Sequence, residues 1–212
     1  MVEKRRCRMS AWELTEEDFR AAAAELGVEP RTLDAVVRVE SAGSGFLEPG
    51  VPKILFEGHI FWKELKKAGI DPEDHTAAHS SVVHPKWDRT KYLGGRKEYD
   101  RLREAEGIHR AAALRSASWG AFQIMGFNHA ACGFADVETF VDAHKSGAAE
   151  QLAAFCAFLR SQRLVGFLRE KDWAEFARRY NGPAYAQNKY DEKLHAAYQR
   201  SGLAQYSTSE KS

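Results

Sequence analysis

A glutamate at the end of an apolar helical run is the first position in this chain where residue type and spacing allow chemistry. Glu40 closes the run Leu33-Asp34-Ala35-Val36-Val37-Arg38-Val39-Glu40, and Ser41-Ala42-Gly43-Ser44-Gly45-Phe46 follows at once. That places a carboxylate where a helix breaks into a glycine-rich loop. Apolar neighbours there desolvate the charged form. The negative end of the helix dipole repels it as well. Both push the pKa upward. A carboxylic acid that keeps its proton near neutral pH is the proton donor that glycosidic cleavage requires.

Two further segments carry side chains suited to holding a sugar. The first is Ser116-Ala117-Ser118-Trp119-Gly120-Ala121-Phe122-Gln123-Ile124-Met125-Gly126, in which Ser118 and Gln123 are candidate substrate-binding residues. An amide such as Gln123 offers a donor and an acceptor to an N-acetyl group or a hydroxyl. The second is Ala177-Arg178-Arg179-Tyr180-Asn181-Gly182-Pro183, where Tyr180 and Asn181 can position the sugar or the acid. Gly43 and Gly45 let backbone and substrate approach closely. Each feature also has a plainer alternative. Gln123 suits a buried amide holding a turn equally well. Tyr180 and Asn181 suit a helix C-terminus. Trp119 and Phe122 offer flat faces to a pyranose ring but fit a core better.

A second carboxylate would assist, and Glu48, Glu57, Asp71, Asp74 and Asp88 are the candidates. An inverting hydrolase holds its base about 6.5–9.5 Å from the acid, and a retaining one about 5–5.5 Å. Glu57, beside the β-prone segment Ile54-Leu55-Phe56, is the first choice as a second catalytic residue. An ion pair with an arginine is its structural alternative. Among the eight histidines, His75, His79 and His84 are clustered, and His75-x-x-x-His79 has helical ligand spacing. The segment lacks a His-Glu-x-x-His pattern and contains Pro85, so no metal and no cofactor are expected.

Mostly helical elements must position these residues. Thr15 before Glu16-Glu17-Asp18 is an N-cap, opening a helix to about Leu26 with Gly27 as stop. Pro30 suits the first position of a helix ending near Glu40. Further helices are expected over Gly58–Ala68, over Lys97–Ala117 with a weak point at Gly107, and over Val137–Gln162, as one or two given Gly147. Trp173–Tyr180 and Ala184–Gln199 complete the set. The best strand signal is Lys53-Ile54-Leu55-Phe56. Residues 71–96, with Pro72, Pro85, Gly94 and Gly95, read as a long loop able to wall a cleft.

The chain has 212 residues, enough for one domain with a substantial core. Thirty-one basic and thirty acidic residues leave a formal charge of +1, which gives no electrostatic case for nucleic acid. The basic run Lys4-Arg5-Arg6 reads as a solvated end. No stretch of 18 or more apolar residues is present, so no membrane insertion is expected. No signal peptide is evident, which implies a cytoplasmic product. The three cysteines, Cys7, Cys132 and Cys156, have neither metal-like nor redox-like spacing and read as free thiols, Cys156 in the core. The expected organisation is an extension over 1–14, one catalytic domain over 15–202 and a disordered tail over 203–212.

In order and character, the three site segments resemble the goose-type lysozyme and lytic transglycosylase superfamily. Its members carry a Glu-Ser pair at a helix end, a Ser-x-x-Gly-Ala-x-Gly-x-x-Gln-Ile-Met run and an Ala-Tyr-Asn-Ala-Gly-Pro segment; here the middle run is shorter, and Arg179-Tyr180-Asn181-Gly182-Pro183 lacks the alanine. A closer resemblance is to the N-acetylmuramidase domain of phage endolysins from Gram-negative hosts. It rests on Glu40 to Phe46, on Pro52-Lys53-Ile54-Leu55-Phe56-Glu57-Gly58-His59-Ile60-Phe61, and on Ser118 to His129. It covers roughly residues 15 to 202. This chain departs from the family at Gly58, where a basic residue is usual, and no N-terminal wall-binding module is expected. The resemblance implies a mainly α, lysozyme-like α+β fold with a small β element and a cleft. It implies a monomer that cleaves the β-1,4 bond between N-acetylmuramic acid and N-acetylglucosamine in peptidoglycan glycan strands, with Glu40 as general acid. Synthesis in a host cytoplasm and passage to the wall through holin-type lesions follow from it. The alternatives are a lytic transglycosylase, a non-catalytic peptidoglycan- or chitin-binding module, and an antibacterial secretion-system effector with the same chemistry.

Overall fold

Two helices packed on each other carry the chain to Glu40. The structure, a computed structural model, describes residues 11–41 and 43–203. Helix α1 (Glu16–Leu26) opens on a capping box. The Thr15 hydroxyl accepts from the Asp18 amide, and the Asp18 carboxylate accepts from the Thr15 amide at 2.9 Å. Gly27, at φ +68°, takes the left-handed conformation that ends it. Helix α2 (Pro30–Glu40) starts on a proline whose missing N–H would have had no helical partner. Its Leu33, Val36 and Val37 are buried.

After Glu40 the chain forms a hairpin of β1 (Phe46–Glu48) and β2 (Val51–Pro52), then enters β3 (Ile54–Phe56). Helices α3 (Gly58–Lys67), α4 (Glu73–Thr76) and α5 (Lys97–Arg115) follow. Strands β4 (Ala117–Trp119) and β5 (Ile124–Met125) complete an antiparallel sheet of order β3-β4-β5, with Leu55 opposite Ser118 and Ser118 opposite Met125. The remaining helices are α6 (Val137–Ser146), α7 (Ala148–Ser161), α8 (Val165–Glu170), α9 (Trp173–Tyr180) and α10 (Tyr190–Arg200). The fold is mainly α with small antiparallel sheets, as the residue patterns predict. Among the described residues, no helix is long and apolar enough to cross a membrane.

Several boundaries differ from the sequence expectation for physical reasons. Helix α5 breaks at His109 (φ −158°, ψ 102°) rather than at Gly107. The His109 ring accepts from the Ala112 amide at 3.1 Å and so caps the second half. The long 137–162 segment is two helices, because Gly147 is extended and a Cβ there would meet Glu150 Oε2 at 2.5 Å. The last helix starts at Tyr190, not Ala184, since Pro183–Ala186 form a separate 3-10 turn. Strands β1, β2, β4 and β5 span two or three residues each, too few for alternation to show.

The 71–96 segment contains α4 and a 3-10 turn at Arg89–Lys91. The buried carboxylate of Glu98 anchors it, accepting from the amides of Leu93 (2.7 Å), Gly94 (2.9 Å) and Phe56 (3.1 Å) and from Arg101 (2.8 Å). This ties the loop to β3. In the core, Phe122 stacks on Phe155 with centroids 4.1 Å apart. Trp119 is 1% exposed and donates from Nε1 to the Leu114 carbonyl. Cys132 and Cys156 are buried free thiols, while Cys7, Lys4-Arg5-Arg6 and the tail from 204 lie outside the described residues.

Candidate active site

Helix α2 delivers Glu40 to the C-terminal end of α9. Asn181 caps α9, its amide donating to the Ala177 carbonyl at 2.8 Å, and its side chain faces Glu40. Asn181 Nδ2 lies 3.3 and 3.1 Å from the two carboxyl oxygens of Glu40. Burial pushes the Glu40 carboxyl up to about 7, and the Asn181 donor opposes that shift without cancelling it. Burial and Asn181 are the influences on this carboxyl; among the described residues no second carboxylate contributes.

Tyr180 stands beside the pair. Its ring stacks on Phe176 and meets Phe155 edge-on, so the core fixes its position. Burial raises its phenol well above the usual range, and the nearby charge of Glu40 adds to this. Glu40, Tyr180 and Asn181 thus come together from residues 140 or so apart in sequence, on a floor of stacked aromatic rings.

The loop after Glu40 is fixed to the sheet. Ser44 Oγ donates to the Phe46 carbonyl and accepts from its amide. The Gly45 carbonyl accepts from the Lys53 amide at 2.9 Å, and the Lys53 carbonyl accepts from Gly120 at 2.8 Å. Ser118 and Gln123 close the β4–β5 turn. Ser118 Oγ donates to Gln123 Oε1 at 2.8 Å, and Gln123 Nε2 donates to the Gly120 carbonyl at 2.8 Å. Gln123 itself holds φ +48°, a conformation few side chains adopt. Its amide therefore holds the turn that leads back, through Lys53, to the loop of Glu40.

Glu57 sits where β3 passes into α3. Tyr92 Oη donates to its carboxylate at 2.5 Å, and His59 Nδ1 lies 3.3 Å away. These two groups, rather than an arginine, are its partners. The sequence did not single out Tyr92, because a lone tyrosine in a long loop carries no periodic signal. Burial lowers the pKa of His59 and outweighs the attraction of Glu57, so the contact is that of a neutral ring. His79 pairs with Glu104 at 3.0 Å, and its ring centroid is 6.4 Å from that of His75. Among the described residues, no group of three or more His, Cys, Asp or Glu is arranged to hold a metal.

A cavity of about 630 Å³ borders the same loop, bounded by Ser41, Gly43 and Phe46 and by Trp12, Phe19 and Phe122. Glu40 does not line it, so it is a neighbour of the carboxyl rather than its cleft.

Comparison with known proteins identifies the family of the chain. The family model for N-acetylmuramidase matches residues 29–202, a span containing Glu40, Glu57, Ser118, Gln123, Tyr180 and Asn181. The crystal structure of a Burkholderia AP3 phage endolysin is similar to this chain at 45% sequence identity and a TM-score of 0.83, covering 89% of this chain and 71% of that one. No curated protein matches. With the family model spanning most of its length, the chain belongs to the N-acetylmuramidase family, glycoside hydrolases that act on peptidoglycan.

Proposed function

We propose that Glu40 is the general acid of this muramidase and that the bond it cleaves is the β-1,4 link from N-acetylmuramic acid to N-acetylglucosamine. One observation carries the reading. Glu40 is a half-buried carboxyl that keeps its proton to about pH 7, and it faces a single fixed amide donor. The protonated carboxyl donates to the glycosidic oxygen as the C–O bond breaks and positive charge develops on the sugar ring. Such donation contributes on the order of 10²–10⁴-fold. The carboxylate left behind is held by Asn181 Nδ2. It then takes a proton from the water that attacks the anomeric carbon, which returns Glu40 to its starting state.

Tyr180 and Asn181 shape the acid's surroundings. Ser118 and Gln123 act through the turn that braces the Glu40 loop. Glu57, held by Tyr92, supports the wall formed by residues 71–96 and contributes less than Glu40.

A second reading has one observation in its favour. With no second carboxylate acting on Glu40 among the described residues, the muramic acid 6-hydroxyl can replace water as the attacking group, as in a lytic transglycosylase. Mass spectrometry of muropeptides released from purified peptidoglycan separates the routes. Hydrolysis leaves a reducing sugar, and transglycosylation an anhydro ring lighter by one water. Glu40→Gln should release neither. A Glu40→Gln protein that lyses walls like the parent would overturn the assignment.

The likeness to a phage endolysin supports a lytic role, in which a monomer made in a host cytoplasm reaches the wall through holin-type membrane lesions.

A further inference from the structure

Gln151, on the first turn of α7, is 1% exposed, and both ends of its amide are used. Oε1 accepts from the Ala121 amide at 2.8 Å, and Nε2 donates to the His144 carbonyl at 2.9 Å. Two glycines from separate loops press on the same side chain. A Cβ at Gly45 would lie 2.1 Å from Gln151 Oε1, and one at Gly120 would lie 2.6 Å from its Cδ and Oε1. Gly45 does not take a left-handed φ, so space rather than backbone conformation requires glycine there. The Lys53 backbone joins these loops directly, to Gly45 at 2.9 Å and to Gly120 at 2.8 Å. One buried side chain is therefore the floor beneath both the loop that leaves Glu40 and the turn held by Ser118 and Gln123. Its far end is anchored where α6 meets α7.

We propose that Gln151 is a positioning residue for the reaction, setting the height of the loop after Glu40 and thereby the placement of Glu40 against Asn181. The chemistry selects a glutamine. An acceptor must face Ala121, and a donor of the same length must face His144. A glutamate lacks the donor, a methionine lacks both, and an alanine leaves a void under two glycines. If the loop sinks or lifts, Glu40 turns toward water and loses the burial that keeps it protonated. The groups that face Glu40 are Asn181 and the Tyr180 phenol. The His144 ring is held neutral by burial, which pushes it down to about 4, so it does not titrate in the same window.

The inference rests on Glu40 being the acid, so its test includes a readout independent of turnover. The Glu40 side-chain carboxyl is titrated by carbon-13 NMR, and kcat and KM are measured against pH, in the parent, Gln151→Met and Gly45→Ala. Methionine keeps the volume and removes both hydrogen bonds; alanine at 45 presses on the same contact from the loop side. In both variants the Glu40 midpoint should fall from about 7 toward the ordinary carboxylate range. The alkaline limb of kcat should fall with it, and kcat should drop on the order of 10- to 100-fold with a smaller change in KM. A folded Gln151→Met protein with the parental midpoint overturns the proposal. If that variant does not fold, Gly45→Ala decides by the same two outcomes. Activity retained by Glu40→Gln would instead remove the acid assignment, and the titration would still report whether Gln151 places the carboxyl.

Discussion

Asn181 holds both oxygens of Glu40, at 3.3 and 3.1 Å, across 141 residues of sequence. It donates, so it favours the ionised carboxyl, while burial favours the protonated one. The two opposed influences leave Glu40 near neutrality. There a carboxyl can both give a proton and take one back.

Removing the donor should unbalance this. Asn181→Leu keeps the cover but leaves burial unopposed, so the alkaline limb of activity should move upward from about 7. The carboxylate formed in the reaction also loses a charge-assisted hydrogen bond, worth about 1.5–3 kcal/mol, so kcat should fall about 10- to 100-fold. A pH–rate profile of the variant checks both. A downward shift of the limb would argue that water has replaced the amide.

Glu40 should also weaken the fold at high pH. Folded, it keeps its proton to about 7; unfolded, it loses it near 4.5. Between those values the folded state binds the extra proton, so stability falls as pH rises through the window. The cost is fully present above pH 7 and reaches at most about 3 kcal/mol, less to the extent that water screens a half-buried group. Glu40→Gln should therefore unfold at higher urea than the parent at pH 8 and at the same urea at pH 4. An equal difference at both pH values would contradict this.

Glu57 is expected to matter through the 71–96 wall. Tyr92 donates to it at 2.5 Å, so Glu57→Gln and Tyr92→Phe should each loosen that segment. Hydrogen exchange should rise there, and activity should fall less than about tenfold. Glu57→Gln activity as low as that of Glu40→Gln would instead make Glu57 a second reacting carboxylate.

Glu98 holds the next two residues of the same wall, Leu93 and Gly94. Its carboxylate accepts from three backbone amides and Arg101 inside the protein. Glu98→Gln turns one acceptor into a donor facing other donors and leaves Arg101 without its charge partner. Breaking a buried pair in this way costs about 3–5 kcal/mol, which urea unfolding would measure. A change under about 1 kcal/mol would show that water reaches the pair.

How much of this the residues disclose depends on whether the cause is local. Thr15, Gly27 and Pro30 act within one turn of helix, and they mark the ends of α1 and the start of α2 where the structure has them. Gly147 likewise splits α6 from α7. His109 breaks α5 by folding its own ring onto a backbone amide, a choice that a nearby glycine disguises. The sheet is harder to read, since strands of two or three residues are held by partners such as Lys53 and Gly120, far apart in the chain. The same limit applies at the site. The type and surroundings of Glu40 point to a raised pKa, and the order of the motifs points to Tyr180 and Asn181. That Gln123 is occupied by Ser118 and Gly120, and Glu57 by Tyr92, depends on tertiary contacts that spacing does not encode.

The most direct measurement pairs a carbon-13 titration of the Glu40 carboxyl with the pH dependence of kcat on purified peptidoglycan. The carboxyl should titrate near 7, and activity should fall with the same midpoint as the pH rises. A Glu40 that titrates near 4.5, while activity persists well above that pH, would show that some other group delivers the proton.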